Sequence, residues 1–159
     1  MAQDLLRGPM ETKVKALAGK LKEKEHLFTI GRSTHFPIAL ESALKIKEVS
    51  YIHAEGFAGG ELKHGTLALI EQGTPCIVFV ADEEQDEILG NAMEIRSRGG
   101  YIIGIAAEPN AIFHEWIPLP HNSPLLSVMP AQLLAYHLAV ERGCDVDRCR
   151  NLAKSVTVK

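Results

Sequence analysis

The chain has 159 residues, a formal net charge of −3, 46% hydrophobic side chains and 23% charged ones. That length suits one domain with one core, and the composition is that of an ordinary globular protein rather than a disordered or fibrous one. The slight negative charge argues against general nucleic-acid binding, which needs a strongly basic surface.

Met1 to Gly8 is short and polar, so no signal peptide is expected. Residues 11–25 (Glu11 to Glu25) carry Val14, Leu17 and Leu21 at spacings of three and four between lysines, which predicts an amphipathic helix. His26 to Gly31 (HLFTIG) predicts a buried strand. Thr34 is placed to cap the next helix, with Pro37 in its first turn and its end near Tyr51. Gly56 to Gly65 (GFAGGELKHG) is too rich in glycine for a stable helix throughout. Pro75 to Ala81 (PCIVFVA) predicts a second buried strand, Glu83 to Arg98 a helix stopped by Gly99 and Gly100, and Tyr101 to Ala106 (YIIGIA) a third strand. Trp116 to Leu119 predicts a short further strand. Pro124 to Gly143 predicts a helix with Pro130 near its first turns. The tail from Cys144 to Lys159 has no clear period.

Strands that are continuous apolar runs, alternating with helices, predict a parallel sheet covered on both faces: a single α/β domain, three-layer α/β/α and flavodoxin-like. Ligands of such folds bind beyond the carboxyl ends of the strands, so the loops after Gly31, Ala81 and Ala106 are the expected rim of a site. The uncharged run from Trp116 to Val140 holds Pro118, Pro120, Pro124 and Pro130, which argues against a membrane span. Cys76, Cys144 and Cys149 form no C-x-x-C pair. Reduced thiols and a cytoplasmic location are the simplest reading. None of the seven histidines falls in an H-x-x-x-H or H-E-x-x-H pattern and no Cys/His cluster has zinc spacing. Neither a metal nor another cofactor is expected.

Within the helix Phe36 to Tyr51, Glu41, Lys45 and Glu48 fall within about 60° of one another at 3.6 residues per turn. Leu44 borders them on one side, Ile38 and Val49 on the other. So narrow a charged stripe fits a cleft or an interface, where protonation is tuned. The same spacing is also that of a surface salt-bridge ladder. Glu61 and His64 are three apart and share a face if that segment is helical. In the tail, Leu152, Ala153, Val156 and Val158 surround Lys154. If the tail docks, desolvation favours the neutral amine that attacks a carbonyl to form a Schiff base. If it does not, Lys154 is an ordinary charge on a solvated terminus.

Three blocks bear on that choice: PIALESALKIKEVSYIHAEGFAGGELKHGTLAL (Pro37 to Leu69), AQLLAYHLAVERGCDVDRCRNLAKSVTV (Ala131 to Val158), and the strand–helix frame between them. Together they resemble the second sugar-isomerase (SIS) domain of the isomerising glutamine–fructose-6-phosphate aminotransferases. The resemblance covers nearly the whole chain after Leu17 and includes a tail that looser SIS relatives lack. It implies the isomerase half of glucosamine-6-phosphate synthesis: fructose 6-phosphate and glutamine-derived ammonia in, glucosamine 6-phosphate out.

By that resemblance Glu48 moves a proton between C1 and C2, Lys154 forms the Schiff base, and His64 assists ring opening, reaching the site of a neighbouring subunit in a homodimer. Glu41 and Lys45 position Glu48 and the substrate, with Arg150 and Ala153 also at the sugar. Three residues depart from the family pattern: Ser42 stands for glycine, Thr66 for proline and Lys159 for glutamate. The family's glutaminase domain is not represented in this sequence, nor is a first SIS domain with an S-x-S-G-x-T phosphate loop. GRSTHF (Gly31 to Phe36) is a poor substitute for that loop. An excised domain or a separately encoded half is therefore expected. The alternative is a non-catalytic sugar-phosphate sensor, which has no need of Glu48, His64 and Lys154. An electron carrier of flavodoxin type is set aside for want of a Ser/Thr-rich loop after the first strand.

Overall fold

The apolar runs form the centre of a five-stranded sheet, and every pairing in it is parallel. The computed structural model describes residues 8–152. In chain order they form α1 (Pro9–Leu21), β1 (His26–Gly31), α2 (Phe36–Ser50), β2 (His53–Ala58), β3 (Pro75–Phe79), α3 (Gln85–Arg96), β4 (Tyr101–Ala106), β5 (Glu115–Pro118) and α4 (Pro124–Glu141). Short 3-10 turns occupy Ser33–His35, Gly59–His64 and Thr66–Leu69. The strand order β2-β1-β3-β4-β5 is the flavodoxin-like doubly wound order that the sequence pattern predicts.

Alternate side chains along each strand enter two separate cores. Leu27, Ile77, Phe79, Ile103 and Ile105 pack beneath α1, α2 and α4. Phe28, Ile30, Cys76, Val78 and Ile102 pack beneath α3, with Leu62 from the Gly59–His64 turn in the same cluster. Burial pushes the Cys76 thiol far up, so it behaves as a small apolar residue.

Some elements differ from expectation. The helix predicted to run on to Glu25 ends at Leu21. Arg142 from α4 donates to the carbonyls of Lys22 and Lys24 just beyond it. Thr34 is not a cap: it lies in the Ser33–His35 turn, and α2 begins without a side-chain cap. Strand β2 is not predicted, because HAEGFA has no apolar run. It sits at the sheet edge, pairs only with β1 and is mostly half-buried, so little selects for apolar side chains there.

Close approaches at two of the glycines shape the central sheet. A Cβ on Gly104 in β4 would lie 2.5 Å from the Phe113 ring, which covers the strand where a helix otherwise would. A Cβ on Gly31, at the end of β1, would lie 2.1 Å from the His35 carbonyl oxygen. That atom is backbone and has nowhere to move. Gly31→Ala is therefore expected to cost at least roughly 1–3 kcal/mol, read as a lower urea midpoint with an unchanged m-value.

Candidate active site on helix α2

The inner face of α2 is made of small residues. Ala39, Ser42, Ala43, Ile46 and Ser50 are buried. The hydroxyls of Ser42 and Ser50 donate to the carbonyls of Ile38 and Ile46 at 2.6 Å, which satisfies both groups within the helix. Ser42 thus fits where the family pattern has glycine. Thr29 in β1 donates its buried hydroxyl to the Ala39 carbonyl at 2.7 Å. A Cβ on Gly56 in β2 would lie 3.0 Å from that same carbonyl oxygen. The helix is seated on the sheet with no slack.

Seating that face turns Leu40, Glu41, Leu44, Lys45 and Glu48 outward. The Lys45 ammonium donates to Glu48 Oε2 at 2.6 Å and lies 3.8 Å from Glu41 Oε1. Its hydrogen bond to Glu48 holds Lys45 above the usual lysine pKa, against partial burial, and the charges of Glu48 and Glu41 add to the effect. The three side chains are 28–41% exposed, so the pairs contribute at most about 1 kcal/mol to stability. What the arrangement supplies is position: one ammonium holds two carboxylates on a surface bordered by Leu40 and Leu44, each 43% exposed.

The tail returns to this helix. After α4, Gly143 takes φ 69° and the Cys144 amide donates back to Ala139. The Asp145 carboxylate accepts from the amides of Asp147 and Arg148, forming a turn. The Arg150 amide then donates to the Tyr51 hydroxyl at 3.0 Å, and the Arg150 guanidinium lies 4.1 Å from the centre of the Tyr51 ring. Tyr51 is the residue that ends α2. Arg150, expected at the substrate, is therefore placed against Tyr51, three residues beyond Glu48. Ala153 and Lys154 lie outside the described residues.

His64 lies apart from the stripe. It is exposed, with Nδ1 2.7 Å from Glu61 Oε2, as the three-residue spacing suggested. Its turn follows edge strand β2, and Leu62 of that turn belongs to the core under α3, on the face opposite α2. Among the described residues, no hydrogen bond or ion pair joins His64 to Glu41, Lys45 or Glu48.

Between the loops after Ala81 and Ala106, the expected rim is occupied by its own side chains. Beyond the carboxyl ends of the strands, Asn122 donates to Asp82 at 2.8 Å and accepts from the Ala107 amide at 2.7 Å. A cavity of about 20 Å³ remains beside Val80, Ala106 and Asn122. That holds roughly one water, far below the roughly 300 Å³ of a small-molecule pocket. The stripe on α2, not this crevice, is the candidate site.

Comparison with known proteins identifies the family. The SIS domain family matches residues 20–142. The chain belongs to that family. It is 49% identical over 155 residues to the glutamine–fructose-6-phosphate aminotransferase (isomerizing) of Chlorobaculum tepidum, covering 92% of this chain and 25% of the relative. It is 48% identical to the corresponding enzyme of Halalkalibacterium halodurans, covering 99% of this chain and 27% of the relative. This SIS domain thus spans about a quarter of the length of these relatives. Among solved structures it resembles the C-terminal domain of glucosamine-fructose-6-phosphate aminotransferase from Francisella tularensis, with a TM-score of 0.78 and 38% identity over 87% of this chain and 42% of that one. It also resembles a glucosamine-6-phosphate deaminase from Thermotoga maritima, at TM-score 0.74 and 28% identity over 92% and 46%.

One buried group in this SIS domain links its stability to pH. His35, 1% exposed at the start of α2, has Nε2 3.2 Å from Ser127 Oγ and Nδ1 3.3 Å from Thr34 Oγ1. Burial lowers its pKa below the ordinary 6.5, with Asp82 opposing the shift. The unfolded chain therefore binds the proton more readily. The stabilisation is fully present above the ordinary value and is lost as pH falls through the folded one. Urea midpoints should fall as pH drops below about 6.5, and His35→Gln should flatten that slope.

Proposed function

We propose that this SIS domain is the isomerase half of an enzyme that makes glucosamine 6-phosphate from fructose 6-phosphate and ammonia released by a glutaminase. The observation that carries the reading is the outward stripe on α2: two carboxylates bridged by Lys45, at the helix end where the tail bearing Lys154 is fastened. The names of the relatives support the substrate, and the similarity runs through both segments.

In this reading the Lys154 amine attacks the C2 carbonyl of the open-chain ketose, and water leaves as the imine forms. Ammonia then takes the place of the lysine. Glu48 removes a proton from C1 and returns it at C2, converting the ketose imine to the aldose amine with no net change in oxidation. Lys45 holds the Glu48 carboxylate in one orientation, and Glu41 shares that ammonium. A positioned general base of this kind contributes typically about 10²–10⁴-fold. His64 assists ring opening in a neighbouring copy, so the enzyme works as a homodimer in the cytoplasm. The sugar phosphate is held by a second SIS domain that covers the α2 face bordered by Leu40 and Leu44. The closed crevice at the strand ends supports that division of labour.

Borohydride added to the chain assembled with its glutaminase and phosphate-holding parts, in the presence of fructose 6-phosphate, should leave a sugar adduct on Lys154. Lys154→Arg should abolish the adduct, because a guanidinium keeps the charge and forms no imine. An adduct on Lys45 or Lys63 instead would overturn the assignment. A sugar-phosphate sensor would show no adduct at any lysine.

Glu48→Gln separates the steps. It should lower turnover by about 10²–10⁴-fold while leaving the borohydride adduct on Lys154 intact. Loss of the adduct together with turnover would show that Glu48 serves binding rather than proton transfer.

A further inference from the structure

Tyr51 ends α2 with φ 61° and ψ 17°, the left-handed conformation. Glycine or asparagine is usual at this place, because a Cβ there crowds the following carbonyl. An aromatic residue held in that region is strained, and such strain persists where surrounding contacts determine it. The Tyr51 amide donates to the Lys47 carbonyl, and among the described residues its side chain is held by one residue of the tail. The Tyr51 hydroxyl accepts from the Arg150 amide and the Tyr51 ring lies under the Arg150 guanidinium. The chain between α4 and Arg150 is shaped to arrive there, through left-handed Gly143, Cys144 3.9 Å from the Ser50 carbonyl, and the turn closed by Asp145.

We infer that Tyr51 is a positioning residue: it latches the C-terminal segment to the end of α2, three residues past Glu48. The role rests on the reading of Lys154 and Glu48 given above. Tyr51 lies three residues past Glu48, about 4.5 Å along the helix axis. From Arg150 to Lys154 is four residues, which reach at most about 14 Å. Released from Tyr51 and tethered at Cys144, ten residues to Lys154 reach about 35 Å. The volume open to the amine shrinks about 15-fold when the latch closes, and its effective concentration at the sugar rises correspondingly. The latch thus trades backbone strain at one residue for the placing of a reactive one.

Three substitutions test this. Tyr51→Gly removes the side chain and relieves the left-handed strain. The melting temperature of the chain should stay level or rise, while amide exchange in peptides covering 145–152 speeds up at least tenfold. In the complete assembly, kcat should fall about tenfold with KM for fructose 6-phosphate within twofold. Tyr51→Phe keeps the ring under the guanidinium and should recover most of that turnover. Arg150→Gln, on the exposed partner, should reproduce the faster exchange without disturbing α2. Unchanged exchange in both Tyr51→Gly and Arg150→Gln would show that no latch exists. Faster exchange with kcat unchanged would show that it positions nothing. A Lys154→Arg variant with normal turnover would instead sink the functional reading, leaving the latch to be judged by exchange alone.

Discussion

The contact on which the site depends is the seating of α2 against strands β1 and β2. Ala39, Ala43 and the hydroxyl-satisfied Ser42 give the helix a low profile, and Gly56 offers no side chain to hold it off. Thr29 then ties the Ala39 carbonyl from below. A buried hydrogen bond of this kind contributes only about 1 kcal/mol, but leaving its hydroxyl unpaired would cost more. Because the inner face admits one height and one rotation, the outer face has only one as well. Glu41, Lys45 and Glu48 are aimed by residues on the opposite face of the helix.

Much of this was legible in the sequence because the forces involved are local or periodic. β1, β3 and β4 are central strands buried on both faces, so they read as apolar runs. The stripe reads from the helical period alone, since 3.6 residues per turn fixes which side chains share a face. The resemblance added roles that no spacing contains, those of His64 and Lys154 above all. What escaped detection depends on long-range contacts. HAEGFA becomes strand β2 only because β1 offers it an edge, and Thr34 loses the cap position because a 3-10 turn precedes the helix. Tyr51 gave no signal, since its partner lies 99 residues further along the chain. A tyrosine where a helix should stop on glycine was the one available hint.

The placement of charge also distinguishes the outer face of α2 from the crevice at the strand ends. In doubly wound folds the crevice beyond the strand ends usually receives the ligand. Here Asn122, Asp82 and the Ala107 amide occupy one another's hydrogen-bonding capacity across it, and His35 is walled in beside Ser127. Among the described residues, the Glu41 and Glu48 carboxylates on α2, by contrast, are held by Lys45 alone. A domain built this way offers its charged groups on an open helix face rather than in an enclosed cavity.

The link between β4 and β5 has consequences of another kind. Eight residues, 107–114, join two parallel strands without a helix, where such crossovers generally take a dozen or more. Phe113 lying on Gly104 makes so short a path possible. β5 gains only four residues of ladder, at the sheet edge; Ile117 joins the core beneath α1, and Lys20 to Glu115 and Lys13 to the Trp116 carbonyl tie the surface. β1 and β3 are each flanked by strands on both sides. Opening should therefore be graded across the sheet. The amides of edge strand β5 should exchange before those of β1 and β3.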